Sequence, residues 1–173
     1  MAYLLDANVF IQAKNLYYGF DFCPAFWDWL LINNKQQKVF SIEKVGNEIE
    51  AGNDELAQWV NSRGPNFFLK PDSVMLSALE KVSEWATSQN YDPAAVNTFF
   101  QVADYFLVAF ALAHEYVIVT QEVASPSTKR IKIPNACIGL GIKCVTPYEM
   151  LRKEGARFIL DTQNKENNQM SLI

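Results

Sequence analysis

Short apolar runs that stop abruptly at a polar residue set the tightest limit on what this chain can fold into. The first is Ala2 to Leu5, closed by Asp6 and followed by Ala7, Asn8 and a second apolar group, Val9-Phe10-Ile11. A run of that length suits a strand buried on both faces of a parallel sheet. Lys38 to Ile42 has the same character and leads into Glu43. Tyr116 to Thr120, rich in β-branched residues, leads into Gln121-Glu122. In open α/β sheets ligands bind just beyond the carboxyl ends of the strands. An acid placed there must be hydrated, cap the next helix, find a cationic partner or hold a cation. For Asp6, the helix cap and the chemical role both stay open on this segment alone.

The stretches between these runs read as helices. Val9 to Tyr18 is a short helix ending at Gly19. Pro24 opens a second over Ala25 to Asn33, and a polar third spans Glu43 to Ala51 with Val45 and Ile49 inward. Asn53-Asp54 starts another, containing Leu56, Trp59 and Val60 and stopped by Gly64-Pro65. Phe67 to Leu69 reads as an edge strand, and Pro71-Asp72 opens a helix with Val74, Met75, Leu79, Val82 and Trp85 on its apolar side. Asp92-Pro93 caps the longest helix, Ala94 to about His114. A loop covers 121–130, a further strand Lys129 to Ile133, a helical turn Pro134 to Gly141, a last strand Lys143 to Val145, and a helix Pro147 to about Lys153. Strands alternating with helices predict a three-layer α/β fold, a central parallel sheet with helices on both faces. One domain over 1–157 and a polar tail over 158–173 account for the chain.

Composition narrows the chemistry. Half of the residues are hydrophobic, enough for a single packed core. His114 is the only histidine, and Cys23, Cys137 and Cys144 share no ligand spacing, which argues against a zinc site or a disulfide framework. The start lacks a basic, apolar leader, and no apolar run is long enough to cross a bilayer, so a cytoplasmic protein is expected. The net charge of −4 is unevenly spread. Residues 1–128 are strongly acidic, whereas 129–157 hold Lys129, Arg130, Lys132, Lys143, Arg152, Lys153 and Arg157 against Glu149 and Glu154. That division suits carboxylates that bind metal beside cations that bind phosphate.

Three further acids resemble Asp6 in their placement. Asp104 precedes YFLVAFALA, a segment apolar all round and therefore buried. No lysine or arginine lies between Lys81 and Lys129 to neutralise it, which leaves a distant residue such as Arg63 or Arg130 or a cation. Glu122 ends a strand as Asp6 does, and Glu48 follows the second strand on the helix beyond it. Four acids converging on one rim repel unless they share divalent cations, and an all-oxygen donor set favours Mg²⁺ or Mn²⁺. Glu43 and Glu50 compete with Glu48 on the same helix. Glu50 is rotated about 200° from Glu48, so only one of those two faces the site.

LLDANVF, Val45-Gly-Asn-Glu48-Ile, Ala103-Asp104-Tyr-Phe-Leu-Val-Ala-Phe-Ala and Val-Thr120-Gln-Glu122, in this order, resemble the ordered acid set of the PIN domain across roughly residues 3 to 150. The resemblance implies a PIN-like fold and a metal-dependent endoribonuclease acting on single-stranded or structured RNA. It also implies a toxin of a toxin–antitoxin pair, with an antitoxin partner and a possible homodimer. Carried over, Asp6, Glu48, Asp104 and Glu122 are the catalytic, metal-holding acids. Asn8 and Thr120 match polar positions near the site, and Lys129 and Arg130 are the cations placed to meet substrate phosphate. One position departs from the pattern: Glu122 stands where the family carries aspartate, one methylene shorter. Dehalogenase-like phosphatases want a second aspartate where Asn8 stands, and receiver domains want an early acid pair that is absent here. A catalytically silent PIN-like protein-binding module is the alternative from another class.

Overall fold

A computed structural model describes residues 1–160. Its centre is a five-stranded, all-parallel sheet in the order β3-β2-β1-β4-β5. The strands are β1 (Tyr3–Leu5), β2 (Val39–Ile42), β3 (Phe68–Leu69), β4 (Val117–Val119) and β5 (Cys144–Val145). Every residue of β1, β2 and β4 is buried, which is why these runs are apolar without alternation. Ser41 is the exception in composition, and its hydroxyl donates to the Leu5 carbonyl at 2.7 Å.

The chain builds outward from β1 on one side and then returns to add β4 and β5 on the other. Right-handed crossovers therefore put the first set of helices on one face and the second set on the other. The first set is α1 (Ala7–Gln12), α2 (Pro24–Lys35), α3 (Glu43–Glu50) and α4 (Glu55–Asn61). The second is α5 (Met75–Ser88), α6 (Pro93–Gln101), α7 (Ala103–His114) and α8 (Ile133–Leu140); α9 (Pro147–Lys153) follows β5. Helices α5, α7 and α8 pack on one another, as α3 does on α1 and α4. Trp27 and Trp59 belong to an aromatic cluster with Phe10 and Phe67, so both serve the core.

Several elements depart from the sequence reading. The helix expected over 94–114 is two helices bent by 72°, broken where Val102 is extended (φ −98°, ψ 166°). Asp104 consequently lies in the first turn of α7 rather than in mid-helix. Asp92 makes no side-chain cap bond to α6, whose start is set by Pro93 in the first turn. The strand expected over 129–133 is a turn leading into α8. After α1 the chain continues as a π-helical turn, Ala13–Tyr17. Helix α5 begins at Met75, where Asp72 Oδ1 accepts from the Met75 amide at 3.1 Å. From residue 161 on, the polar tail expected over 158–173 lies outside the described residues. Phe158, inside them, packs edge-on against Tyr18 and Phe26. No single helix among the described residues is long and apolar enough to cross a membrane.

Candidate functional site

Because the strand order reverses between β1 and β4, their carboxyl ends border the crevice where such sheets bind ligands. Asp6 leaves β1 and Thr120 leaves β4 at this point, and the Asp6 amide donates to the Val119 carbonyl at 3.0 Å. Asp6 is only 5% exposed and makes no side-chain cap bond to α1, which removes the cap as the reason for its presence. Its Oδ2 accepts from Thr120 Oγ1 at 2.8 Å. That hydroxyl in turn accepts from Asn8 Nδ2 at 3.0 Å and from the Glu122 amide at 3.1 Å. Asn8 Oδ1 accepts from the Gln121 amide at 2.9 Å. Asn8 and Thr120 thus lock the two strand ends together, with their polar atoms engaged by the rim itself.

Asp104 comes to the same place from α7. Burial pushes the Asp6 carboxyl up to about 7, with the Asp104 charge as the next cause and that of Glu122 adding; the Thr120 hydrogen bond and the Ala7 amide pull the other way. Asp104 is pushed up to about 6 by burial, then by Glu122 and Glu48, against the pull of Arg130 and Lys132. Among the described residues neither acid forms an ion pair.

Glu48 arrives from α3 and points toward this site. Its Oε1 accepts from the Ala103 amide at 3.0 Å, so it caps the helix that carries Asp104. Glu43 and Glu50 instead line a separate cavity with Lys70. Glu48 and Asp104 share one wall of a cavity of about 410 Å³, whose other walls include Phe99, Lys129, Arg130 and Ile131. Two of the four expected acids, Glu48 and Asp104, therefore face one cavity with both expected cations, while Asp6 is buried and Glu122 lines a different cavity together with Thr120.

Glu122 is placed differently. Its side chain is 9% exposed and fully engaged. Oε1 accepts from Arg130 Nη2 and Lys132 Nζ, both at 3.0 Å, and Oε2 from the Ile133 amide at 2.9 Å. Lys132 is a site neighbour that the sequence reading missed. It signalled itself only as one charge in the basic stretch, because ion pairs within a loop follow no periodicity. His114 sits at the far end of α7, 2.9 Å from Asp72 Oδ2.

The donor chemistry fits a hard divalent cation: two carboxylates that form no ion pair among the described residues, both raised by burial and Asp6 further by the charge of Asp104. No three acid, histidine or cysteine side chains among the described residues converge at metal-binding distance. Asp6 and Asp104 are accordingly the pair on which an ion would centre.

Residues 3–158 match a family described as a domain of unknown function, DUF4411. No curated protein matches the sequence. Among solved structures, VapBC2 from Rickettsia felis, determined bound to a DNA fragment from their promoter, is 12% identical with a TM-score of 0.52, covering 84% of this chain and 98% of that one. FitAcB from Neisseria gonorrhoeae is 16% identical with a TM-score of 0.51, over 84% and 98%. FitAB bound to an IR36 DNA fragment is 16% identical with a TM-score of 0.52, over 84% and 95%. The parallel sheet with helices around it is the PIN-like α/β fold of these structures.

Proposed function

For this chain, which belongs to the DUF4411 family, we propose that the acidic rim is the active site of a Mg²⁺- or Mn²⁺-dependent endoribonuclease that cleaves single-stranded or structured RNA. One observation carries the reading: at the switch point of the sheet Asp6 is buried under the charge of Asp104, a residue far away in sequence, and among the described residues neither acid forms an ion pair. Carboxylates in that state lower their free energy by sharing a divalent ion.

In this reading Asp6 and Asp104 hold the ion and Glu48 supports it. When bound, such an ion supplies Lewis acidity toward a phosphodiester. Thr120 fixes the rotamer of Asp6 through its hydroxyl, and Asn8 ties that hydroxyl to the Gln121 amide. Glu48 sets where α7 begins, and so where Asp104 stands. Lys129 and Arg130, across the same cavity, meet the negative charge of the substrate phosphates. No histidine or cysteine stands ready as a covalent nucleophile among these residues, which suits water as the attacking group.

Fold likeness to VapBC2 and FitAB supports a toxin-like role, with an antitoxin as partner covering the acidic cavity. The second reading, a silent binding module, draws on Glu122: the fourth acid is saturated by protein donors. Cleavage of single-stranded RNA by purified protein, with metal titrated in and a chelator as control, separates the two. The nuclease reading expects metal-dependent cleavage that disappears in Asp6→Asn. Cleavage surviving both that substitution and the chelator would defeat it.

A further inference from the structure

The acid that departs from the PIN pattern occupies the best-satisfied position on the rim. Glu122 receives a guanidinium, an ammonium and a backbone amide, and its own amide donates to Thr120 Oγ1, which donates to Asp6. Glu122 therefore connects Asp6 to the cations, through its backbone amide on Thr120 and through its carboxylate on Arg130 and Lys132. Arg130 is 62% exposed on its side chain and lines the cavity that Asp104 and Glu48 also line. We infer that Glu122 is a positioning residue rather than a metal ligand: it holds Arg130, with Lys132 on the same carboxylate oxygen, so that Arg130 grips the phosphates of a single-stranded RNA crossing the cavity.

The physics follows from charge and entropy. Arginine and lysine side chains carry much rotamer freedom, and a buried carboxylate that fixes them removes part of it in advance. Arg130, Lys132 and Glu122 together carry a net charge of +1, and Lys129 adds another beside them. That leaves positive charge facing the acids, at a separation set by bonded residues rather than by a free loop. The loop over 121–132 is held by Asn8 at Gln121, by Asn135 at Ser125, by the Asp92 amide at the Thr128 carbonyl and by buried Ile131, and the Glu122 bonds fix the side chains of Arg130 and Lys132 on it.

This inference rests on the nuclease reading, and the experiment tells the two apart. Binding of a fluorescently labelled single-stranded RNA is measured by anisotropy, in chelator, across a salt series, for the native protein and for Glu122→Gln, Arg130→Gln and Lys132→Gln. In parallel, the melting temperature of each protein is followed as Mn²⁺ is added. Counting charge alone predicts tighter RNA binding when Glu122 is neutralised. Positioning predicts binding about tenfold weaker, as when a charge-assisted hydrogen bond is lost. It also predicts a salt slope reduced by about 0.7 for each phosphate no longer neutralised, with the response to Mn²⁺ unchanged. Glu122→Gln that binds RNA as tightly as the native protein, or that loses about 10–100-fold in metal affinity, overturns the inference. If that variant does not fold, Arg130→Gln and Lys132→Gln carry the test, and two unchanged salt slopes overturn it equally. A native protein that binds no RNA at low salt would remove the nuclease reading itself.

Discussion

Asp6 and Glu122 leave neighbouring parallel strands at the same end of the sheet, yet their surroundings are opposite. Glu122 has three donors on its two oxygens, two of them cationic. Asp6 has the Thr120 hydroxyl, and the charge that acts on it most strongly is that of another acid, Asp104. A carboxylate of the first kind is a finished part of the fold, with both oxygens already holding donors. A carboxylate of the second kind is unfinished, because burial and a like charge both favour the neutral form until something positive arrives. The same residue chemistry on one rim therefore divides into a scaffold and a site. The division can be tested because the two kinds of acid should answer neutralisation with opposite signs.

The largest effect expected is on activity. Asp6→Asn keeps the shape of the side chain and its contact with Thr120 but removes the charge that would hold the ion. RNA cleavage should fall by more than about 100-fold, beyond the range found for residues that act on a metal through another group. Excess Mn²⁺ should restore almost none of it. An Asp6→Asn variant within tenfold of the native rate, measured at saturating metal, would move Asp6 to the scaffold side of the comparison.

Next in size is the stability of the metal-free protein. Asp6 and Asp104 have folded-state values of about 7 and about 6, above the ordinary carboxylate range near 4. A raised value means that the stabilising state is the protonated one. Stability is therefore complete below pH 4 and is lost as pH rises through 6 and 7. At pH 8 Asp104→Asn should be more stable than the native chain by about 1–3 kcal/mol, given about 1.4 kcal/mol per pH unit and a penalty shared by the pair. At pH 4 the two should coincide. Urea melts at both values, in chelator, decide the matter. Destabilisation at pH 8 would reveal an ion pair that Asp104 needs.

Glu122→Gln should move the other way. The amide keeps an acceptor for one cation but loses the charge that holds both, and it presents donors where Oε2 accepts from Ile133. A loss of about 1–2 kcal/mol is expected, near the value of a hydrogen bond to a charged group, because Arg130 is exposed enough to regain water. A gain in stability, parallel to that of Asp104→Asn, would place Glu122 with the repelled acids and erase the contrast.

What the sequence could show of this arrangement follows from where the forces act. The buried strands announced themselves because a strand covered on both faces has no polar alternation. Asp6 and Asp104 stood out because each interrupts apolar sequence with no cation nearby in the chain. The break at Val102 was illegible: the sequence there, TFFQVADYF, has no glycine or proline. The amide freed by the break is accepted by Glu48, a residue of another helix, and only the tertiary fold supplies that partner. Within residues 129–133, Arg130 to Ile133 alternate basic and apolar side chains and so imitate a strand. Their backbone is instead turned, with the Ile133 amide aimed at Glu122. The role of Glu122 was hidden for a like reason, since its partners lie 8 to 11 residues further along a loop that has no repeat.

The smallest effect expected concerns Glu48, which stands between the two kinds. Its Oε1 caps α7 as a scaffold residue would, while its charge adds to the repulsion felt by Asp104. Glu48→Gln keeps an oxygen for the Ala103 amide and removes the charge. It gives up the attraction of a carboxylate for the start of a helix, about 0.3–1 kcal/mol, and relieves Asp104 by a similar amount. The two nearly cancel, so the metal-free melting point should hardly move. Glu48→Ala loses the acceptor as well and should cost about 1 kcal/mol, as other cap removals do. Cleavage should fall in both, because both lose the charge that supports the ion. If the two variants melt together, the hydrogen bond to Ala103 contributes nothing, and the start of α7 is held by packing alone. If Glu48→Gln melts well above the native chain, repulsion outweighs the cap, and Glu48 belongs beside Asp6 and Asp104 as an acid that waits for a cation.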